Sequence, residues 1–360
     1  MHTINRLLIY RFGQIGDTVA ALPSLWHLRQ QLPNAHFTLL SEIPNHGNQL
    51  SPSQVLPPSG LIQSYLKYRS GNSLTARFSQ LSTILCLRRG RFDAMVYLTP
   101  SIRSASSRQR DANFFRLAGI PIRIGFRGFP SDAHPRNSDG TLPLVPHEAD
   151  ALLHRLTLDG LPAVQLGHGR MELCLTSTEL QAAANWLHEH GLTDGQWFAL
   201  CQSSKWPSKC WPEDCYQNVV SALFKETGMV PVIFGGAEDR VAAQRLIQKL
   251  GFGHCAAGDL SVRESAAMLQ RARFYLGNDT GVMHLAAAVR TPCVAIFASI
   301  DWPGRWNPYG SGHEVLRFPV PCAGCLAPEC AFNSECLEGI HPIEVLAACN
   351  RVLNKLEIAH

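Results

Sequence analysis

Apolar and polar positions along the first forty residues predict a strand, a helix and a second strand. The apolar-rich residues 6–12 predict the first strand, and the glycine turn "GQIGD" follows it. A helix is predicted from Thr18, and residues 36–40 predict the second strand. This order, with short connections, is typical of a parallel α/β sheet.

The same alternation continues to the C-terminus. After a predicted loop at residues 44–60, the pattern predicts helices near 73–90 and 107–118, strands at 93–98 and 122–126, and a loop-like segment at 127–146. A second series begins near residue 176, where "TSTE" has the spacing of a helix capping box. Two consecutive series predict an α/β chain with two Rossmann-like domains.

One stretch of the second series, "FYLGNDTGVMHLAAAVRTPCVAIF", predicts a strand, a polar turn, a helix of small residues and another strand. Ligands of open α/β sheets bind beyond the carboxyl ends of strands. A helix that begins at Thr280 or Gly281 directs unpaired backbone N–H groups there, and Asp279 and His284 can reach the same ligand. The alternative is structural, with Asp279 as a helix cap and His284 packed on the surface.

Three further side chains follow predicted strands. Asp17 comes after the first glycine turn, where a carboxylate suits a general base, and a helix cap is the alternative. Lys209 in "SSKWPSKCWP" suits a phosphate contact, and Glu238 in "FGGAED" suits a ribose hydroxyl. A solvated lysine and a first-turn acid are the corresponding alternatives. The first glycine turn lacks G-x-G-x-x-G, which disfavours a nicotinamide oxidoreductase.

Composition adds a charge asymmetry to this picture. The 360 residues suit two domains, and 46% apolar residues can fill two cores. The net charge is +4, but residues 1–180 carry +7 and residues 181–360 carry −3. All but one of the cations in the first half are Arg, which suits phosphate and carboxylate, so we expect either an anionic partner or a solvated basic face. The modest total argues against a nucleic-acid partner.

Two arginine clusters flank the predicted strand at 93–98. The second cluster follows the carboxyl end of the strand, so we expect Arg103, Arg108 and Arg110 to contact phosphates or carboxylates of an acceptor. The first cluster, in residues 88–91, is expected to be solvated or to face an anionic membrane. The chain has no run of the roughly 18–20 apolar residues that cross a bilayer and no signal-peptide pattern, so we expect a cytoplasmic location.

Four of the twelve cysteines crowd into one short segment with C-x2-C-x4-C-x5-C spacing: Cys322, Cys325, Cys330 and Cys336. Four thiolates so close in sequence can build a tetrahedral zinc or iron site. Such a metal would be structural rather than catalytic. Free thiols and disulfides are the alternatives.

The stretches "RFGQIGDTVAALPSL", "KCWPEDCY", "FGGAED" and "GNDTGVMHLAAAVRTPCVAIF" resemble, in this order, glycosyltransferase family 9, the ADP-heptose:lipopolysaccharide heptosyltransferases. The resemblance covers nearly the whole chain and is weak across residues 43–170. It implies the GT-B fold, an α/β class with two Rossmann-like domains that face each other across a cleft. The implied parts are an acceptor-side domain at 1–175, a nucleotide-sugar domain at 176–341 and a C-terminal helix at 342–360 that packs back on the N-terminal domain.

The resemblance also assigns roles. It implies that Asp17 is the catalytic base, that Lys209 contacts the donor diphosphate and that Glu238 contacts the ribose. The sugar- and phosphate-binding turn would comprise Asp279, Thr280, Gly281 and His284. The family's transfer inverts the anomeric centre and needs no metal.

From these roles we expect an enzyme that moves a sugar, heptose from ADP-heptose, onto an anionic glycolipid of the lipopolysaccharide-core type. We expect it to act in the cytoplasm, peripheral to the inner membrane and in contact with anionic lipid. The alternative is a non-catalytic GT-B-like protein that binds a nucleotide or an anionic glycolipid.

Overall fold

The computed structural model describes residues 4–43, 50–71, 73–129 and 136–358. The chain divides into two compact units. The first comprises Met1–His134 and Glu148–Leu173, and the second comprises Pro135–His147 and Cys174–His360. Each unit is built on a parallel β-sheet, as the alternation of strands and helices predicts.

The strands of the first unit are β1 (Arg6–Tyr10), β2 (His36–Ile43), β3 (Ser64–Arg69), β4 (Ala94–Tyr97) and β5 (Ile122–Ile124). Within the described residues they form a five-stranded parallel sheet in the order β3-β2-β1-β4-β5. The central strand β1 pairs with β2 and β4, and its Leu7, Leu8 and Ile9 are fully buried. Its carboxyl end therefore lies in the middle of the edge where a ligand would bind.

The helices of the first unit are α1 (Ile15–Ala20), α2 (Leu22–Gln31), α3 (Leu74–Gly90), α4 (Ala105–Leu117) and α5 (Glu148–Leu158). The single helix predicted from Thr18 is in fact two, because Pro23 lies in the first turn of α2. Proline has no N–H and is tolerated in the first turn of a helix but not in its interior, so the chain ends one helix and begins another. Helix α5 was not predicted.

The strands of the second unit are β6 (Trp197–Cys201), β7 (Val230–Ile233), β8 (His254–Cys255), β9 (Tyr275–Asn278), β10 (Cys293–Phe297) and β11 (Glu314–Arg317). The described residues form a six-stranded parallel sheet in the order β11-β10-β9-β6-β7-β8. The strands β9, β6 and β7 are therefore neighbours, and their carboxyl ends share one edge.

The helices of the second unit are α6 (Ser177–Glu189), α7 (Glu213–Thr227), α8 (Arg240–Leu250), α9 (Val262–Leu269), α10 (Gly281–Ala288), α11 (Glu335–Glu338) and α12 (Pro342–Ile358). The predicted capping box is present on α6, where Thr176 Oγ1 accepts from Glu179 N and the Glu179 carboxylate accepts from Thr176 N. This pair gives the second series a defined start.

The segment between the two parts of the first unit differs from the expected domain division. Residues 135–147 were predicted to belong to the N-terminal domain, and the structure assigns them to the second unit. The reason is hydrogen bonding within that unit. Val145 N donates to the Pro303 carbonyl at 2.9 Å, and His147 Nε2 bonds to the Asn307 carbonyl at 2.9 Å.

The C-terminal helix α12 packs within the second unit. Its buried residues join the core of that unit: Val345, Ala348, Cys349, Val352 and Leu353. The apolar face of α12 is thus occupied by its own unit. The predicted contact of this helix with the N-terminal domain stays a prediction.

Candidate functional site

The turn between β9 and α10 has the form that its sequence predicts. Thr280 is the N-cap residue, with extended backbone angles, and Gly281 is the first residue of the helix. The first backbone N–H groups of a helix have no intrahelical partner and carry the positive end of the helix dipole. This turn therefore offers hydrogen-bond donors to an anion at the carboxyl end of β9.

Asp279 is buried beside this turn and is paired with Lys209. The Lys209 Nζ lies 2.6 Å from Asp279 Oδ2. Burial by itself would raise the pKa of the Asp279 carboxyl, but the Lys209 ammonium and the nearby His284 ring outweigh burial and hold that pKa well below its ordinary value. Asp279 is thus a carboxylate, and it brings Lys209 to the start of α10.

His284 lies on the other side of the same carboxylate. Its ring is buried, and Nε2 lies 3.7 Å from Asp279 Oδ1. The Nδ1 atom is also buried and has no hydrogen-bond partner among the described residues. A buried polar atom without a partner is costly, so this nitrogen can take a hydrogen bond from a water or a ligand. His284 is therefore not the packed surface residue of the structural alternative.

Asn278 fixes the strand end from which this turn begins. Its Oδ1 accepts hydrogen bonds from Trp211 N at 3.2 Å and from the Tyr216 hydroxyl at 2.8 Å. Its Nδ2 donates to the Gln202 carbonyl at 2.6 Å. The side chain is fully buried and its bonds join β9 to the segment that carries Lys209. Asn278 is thus a structural residue of the site.

The Lys209 turn is also held from a second side. Lys209 ends the short 3-10 turn Pro207–Lys209. Ser208 Oγ donates to the Ala327 carbonyl at 2.7 Å, and Ser208 N donates to the Pro328 carbonyl at 3.1 Å. These bonds limit the freedom of the turn and so define where the Lys209 side chain begins.

Glu238 lies at the carboxyl end of β7, in the turn before α8. It is exposed, and its carboxylate lies over the glycine turn, because a Cβ placed on Gly236 would clash with Glu238 Oε2. The capping role belongs to the next residue, since Asp239 Oδ2 accepts from Gly236 N at 2.8 Å. The first-turn acid that stabilises this turn is thus Asp239, and Glu238 faces solvent at the same sheet edge as Lys209 and Asp279.

Two charged or titratable residues near Asp279 were missed by the sequence analysis. Burial and the neighbouring His284 lower the pKa of His147 to about 3, so its ring is neutral. Burial also lowers the pKa of Arg317, while Asp279 and Asp301 act in the opposite direction. His147 directly follows the segment 127–146 that was predicted as a loop, and a single histidine between Pro146 and Glu148 gives no signal of its neighbours.

In the first unit, Asp17 lies in the first turn of α1. Its Oδ2 accepts the N–H of Gln14 at 2.7 Å, as part of a capping box. A Cβ on Gly13 would lie 2.5 Å from the same carboxylate, and Gly13 has φ +125°, so only glycine fits this turn. The Asp17 side chain is one-fifth exposed. The structural alternative, a capping carboxylate, is therefore present in the structure, and the catalytic role stays a prediction.

Arg11 supports this turn from the interior. Its guanidinium donates to the Leu98 carbonyl and to the Asp17 carbonyl, and it lies 3.5 Å from Asp17 Oδ1. Burial lowers the pKa of Arg11, while Asp17 and Glu148 oppose that shift. A buried arginine bonded to two segments of backbone positions the start of α1 relative to β4.

The three arginines predicted to contact an acceptor have different surroundings. Arg103 is engaged by Asp111, whose Oδ2 accepts from Arg103 Nη2 at 2.7 Å and from the Tyr97 hydroxyl at 2.6 Å. Arg108 donates to the Arg103 carbonyl at 2.6 Å. Arg110 is 70% exposed, with only a 3.5 Å contact to Asp111. Arg110 therefore has the most accessible guanidinium of the three.

The cysteine segment does not form the predicted metal site. Within the described part of the chain no three His, Cys, Asp or Glu side chains are placed to hold a metal ion, and its cysteines are free thiols. The four cysteines of the segment line one apolar cavity, but Cys325 and Cys330 are exposed, and the Cys330 sulfur accepts from Phe332 N and Ser334 N. The Cys330 sulfur is thus hydrogen-bonded within its own loop. The structure does not support the expected zinc or iron site.

The two parallel sheets, with polar side chains collected at the ends of β6, β7 and β9, define a two-domain α/β protein of the Rossmann-like class. The family model for glycosyltransferase family 9 (heptosyltransferase) matches residues 81–335. The chain belongs to this family, which confirms the resemblance stated from the sequence.

Curated relatives carry heptosyltransferase names. The chain is 27% identical to lipopolysaccharide heptosyltransferase 2 of Salmonella typhimurium over 251 residues, which cover 64% of this chain and 66% of the relative. It is 29% identical to lipopolysaccharide heptosyltransferase 1 of Pseudomonas aeruginosa over 137 residues, which cover 38% of each chain. The matched parts span less than two thirds of either relative.

Solved structures share the fold. A glycosyl transferase family 9 protein from Veillonella parvula aligns over 99% of both chains with a TM-score of 0.74 and 19% identity. The E. coli heptosyltransferase WaaC with ADP aligns over 90% of this chain and 96% of its own, with a TM-score of 0.62 and 19% identity. This likeness confirms the predicted fold class, an α/β fold of the GT-B type with two Rossmann-like domains.

Proposed function

We propose that this protein is an inverting glycosyltransferase that moves heptose from ADP-heptose onto an acceptor of the lipopolysaccharide-core type. The observation that carries the proposal is the group formed by Lys209, Asp279 and His284 beside the start of α10. A cation, a helix N-terminus and a buried carboxylate together suit a ligand that has both a diphosphate and sugar hydroxyls. The names of the curated relatives support the sugar and the acceptor class.

In this proposal the donor diphosphate is bound by the Lys209 ammonium and by the first backbone N–H groups of α10, at Thr280 and Gly281. Asp279 accepts from hydroxyls of the donor sugar, and Glu238 accepts from the ribose. His284 supports Asp279 and the phosphate. As the bond between the anomeric carbon and the diphosphate oxygen breaks, negative charge develops on ADP, and the Lys209 ammonium and the helix dipole stabilise it.

The acceptor hydroxyl needs a base, and we propose Asp17. The Asp17 carboxylate takes the hydroxyl proton while the acceptor oxygen forms its bond to the anomeric carbon, from the face opposite the departing ADP. Attack from that face inverts the anomeric centre. The electron pair of the broken bond leaves with ADP, so no metal and no redox partner is required for the transfer.

The acceptor is an anionic glycolipid in this proposal, bound through the arginines that follow β4. Arg108 and Arg110 contact its phosphates or carboxylates, and Arg103 belongs to the same surface while its guanidinium is shared with Asp111. Because this acceptor is embedded in lipid, the protein would have to work at a membrane surface. We propose that it does so in the cytoplasm, peripheral to the inner membrane and against anionic headgroups.

Calorimetry with ADP, UDP, GDP and CMP tests the donor half of the proposal, and ADP is expected to bind most tightly. Transfer is then measured by mass spectrometry with ADP-heptose and heptose-deficient core acceptors, with and without EDTA, which is expected to change nothing. ADP binding without transfer to any core acceptor would favour the non-catalytic nucleotide-binding alternative. Absence of ADP binding would remove the assignment of the β9–α10 turn.

A further inference from the structure

Helix α3 presents a stripe of large apolar side chains to solvent. Four residues, here called the α3 stripe, are Leu74, Phe78, Leu81 and Leu85, with exposed fractions of 74%, 71%, 59% and 54%. Single exposed apolar residues are common on soluble proteins, but a contiguous group marks a surface that meets another apolar phase. These four residues have no role in the proposed transfer.

The stripe is continuous along the helix. With 3.6 residues per turn, the four side chains fall within a sector of about 60° and extend for about 16 Å along the axis. The buried residues of α3, Ala76, Thr83 and Leu87, lie on the opposite side. The helix is therefore amphipathic with two apolar sides, one packed on its own unit and one facing outward.

Cations flank the α3 stripe. On the same helix count, Arg77 and Arg88 lie to one side of the stripe and Arg89 lies to the other. A further exposed cation, Arg91, follows the end of the helix, and two more, Lys67 and Arg69, lie on the neighbouring strand β3 but point to the sheet face opposite the one on which Tyr68 packs with α3. None of these six side chains forms an ion pair with another described residue.

The sequence around the stripe contains no acid. Between Glu42 and Asp93 there is no Asp or Glu, while all six of these cations lie in that interval. An apolar stripe whose charged neighbours on the helix are all arginines complements an anionic bilayer, in which acyl chains accept the apolar residues and headgroups accept the cations. A second copy of the chain would instead oppose cations to cations, since a two-fold contact brings each surface against itself.

We propose that the α3 stripe is the membrane-docking surface of this protein, and that it enters the headgroup region of an anionic bilayer with α3 parallel to the membrane plane. The choice of partner rests on the proposed function, which needs a lipid-embedded acceptor. Among the described residues no helix is both long enough and apolar enough to cross a bilayer. Peripheral contact therefore depends on a surface such as this one, and the cations at 88–91 form only its border.

The proposal is tested with the full chain by co-sedimentation with vesicles of phosphatidylcholine alone and of phosphatidylcholine mixed with phosphatidylglycerol. The wild-type protein is expected to bind only the mixed vesicles. The triple variant Leu74→Ser/Phe78→Ser/Leu81→Ser is expected to lose vesicle binding by about tenfold or more, because the inserted apolar area is removed. The variant Arg77→Gln/Arg89→Gln is expected to lose about fivefold for each cation.

Matched controls come from other helices. Val241→Ser on α8 and Ile343→Ser on α12 each remove an apolar side chain that is 74% exposed, and both are expected to bind vesicles as the wild type does. Lys225→Gln on α7 removes one exposed cation as the charge control. The single variant Phe78→Asp gives a second measurement should the triple variant fold poorly, which circular dichroism reports.

Three outcomes would overturn the proposal: a folded triple variant that binds mixed vesicles as the wild type does, equal binding to both vesicle types, or a wild-type dimer in solution that the stripe substitutions dissociate. ADP binding by calorimetry separates this proposal from the function proposed above. Loss of vesicle binding in the stripe variants with ADP affinity intact supports docking alone, and vesicle binding by a wild type that binds no ADP would contradict only the proposed transfer.

Discussion

Two strand–turn–helix segments, β1–α1 and β9–α10, are similar in sequence and different in structure. Each places an aspartate and a glycine after a buried strand. Asp17 lies inside the first turn of α1, and its carboxylate accepts the backbone N–H of Gln14. Asp279 precedes the N-cap residue of α10, and its two carboxylate oxygens face the side chains of Lys209 and His284.

The difference shows that the position of an aspartate relative to the helix start decides what its carboxylate can bind. Three residues after the N-cap, as at Asp17, the side chain is close to the backbone that needs capping. One residue before the N-cap, as at Asp279, it lies outside the helix and is available to other segments. The following experiments test whether Asp17 nevertheless acts as a base and whether Asp279 and Lys209 act as a pair.

The largest effect is expected from Asp17→Asn. The amide oxygen of asparagine can still accept from Gln14 N, so the turn and the thermal stability should be retained. Without a proton acceptor, kcat for transfer should fall by about 1,000-fold, within the usual range for general-base catalysis. The control is Asp93→Asn, which alters a carboxylate that accepts from Asn5 N and Arg6 N at the other end of β1. Turnover of the Asp17 variant within a few-fold of wild type would leave Asp17 with its capping role only.

The next effect is expected from Lys209→Met. It should weaken ADP binding by about 1.5–3 kcal/mol, the range for charge-assisted hydrogen bonds. It should also lower the unfolding free energy, because the buried Asp279 carboxylate loses its partner. The double variant Lys209→Met/Asp279→Asn should recover stability and not affinity, which separates the two effects. Lys205→Met, on an exposed lysine of the same loop, is the control, and unchanged ADP affinity in the Lys209 variant would make that residue structural.

A smaller effect is expected from the arginines that follow β4. Arg110→Gln should raise the acceptor KM severalfold and leave the donor KM and the stability unchanged, because its guanidinium is exposed. Arg103→Gln should raise the acceptor KM as well, and should lower the unfolding free energy by about 2 kcal/mol, because Asp111 loses a charged donor. Arg116→Gln, on the exposed last turn of the same helix, is the control. Equal behaviour of the three variants would contradict the acceptor assignment.

The smallest effect near neutral pH, and one that grows only on acidification, is a pH dependence of stability at His147. Its pKa is about 3 in the folded protein against an ordinary value of 6.5, so the unfolded chain binds the proton more strongly between these values. Stability from this group is complete above pH 6.5 and falls as the pH is lowered, by up to about 1.4 kcal/mol per pH unit. Urea unfolding should show a shallower acid loss for His147→Gln than for wild type or for the exposed-site control His188→Gln. Parallel curves for all three proteins would contradict the assignment.

The sequence pattern predicted the buried strands of both sheets but did not predict three strands that lie at sheet edges. Central strands of a parallel sheet are buried on both faces and so form continuous apolar runs, as in β1, β6 and β10. The strands that were not predicted, β3, β8 and β11, all lie at the edge of a sheet. An edge strand has one neighbour and is partly exposed, so its apolar pattern is weaker. Polar residues such as Glu314 and Arg317 in β11 conceal the strand.

The part of the candidate site that could be predicted is the part whose residues are close together in the sequence. Asp279, Gly281 and His284 lie within six residues, so a strand followed by a helix fixes their relative positions. Lys209 was predicted as a phosphate contact on a loop after a strand, and it lies at the same edge because β6 and β9 are neighbours in the sheet. Three of the four cysteines, Cys322, Cys325 and Cys330, lie outside strands and helices, so no such element fixes their grouping.

Side-chain contacts that depend on the tertiary structure had no signal in the sequence pattern. His147 reaches the neighbourhood of His284 and Asp279 from a position for which no element was predicted, and Asp111 accepts from the Arg103 guanidinium although α4 begins between the two residues. Both are pairings between side chains whose proximity depends on the finished fold. Periodicity and motif spacing describe single elements, and they contain no information on which element lies opposite.

Hydrogen exchange of the Trp211 backbone N–H can report motion of the site, because this N–H donates to Asn278 Oδ1. Backbone N–H groups in loops usually exchange with solvent deuterium quickly, whereas this one ends on a side chain that is fully buried. Its exchange therefore requires the end of β9 to separate from the segment that carries Lys209. The rate at this one amide measures how often that separation occurs, and ADP bound at the turn would slow it.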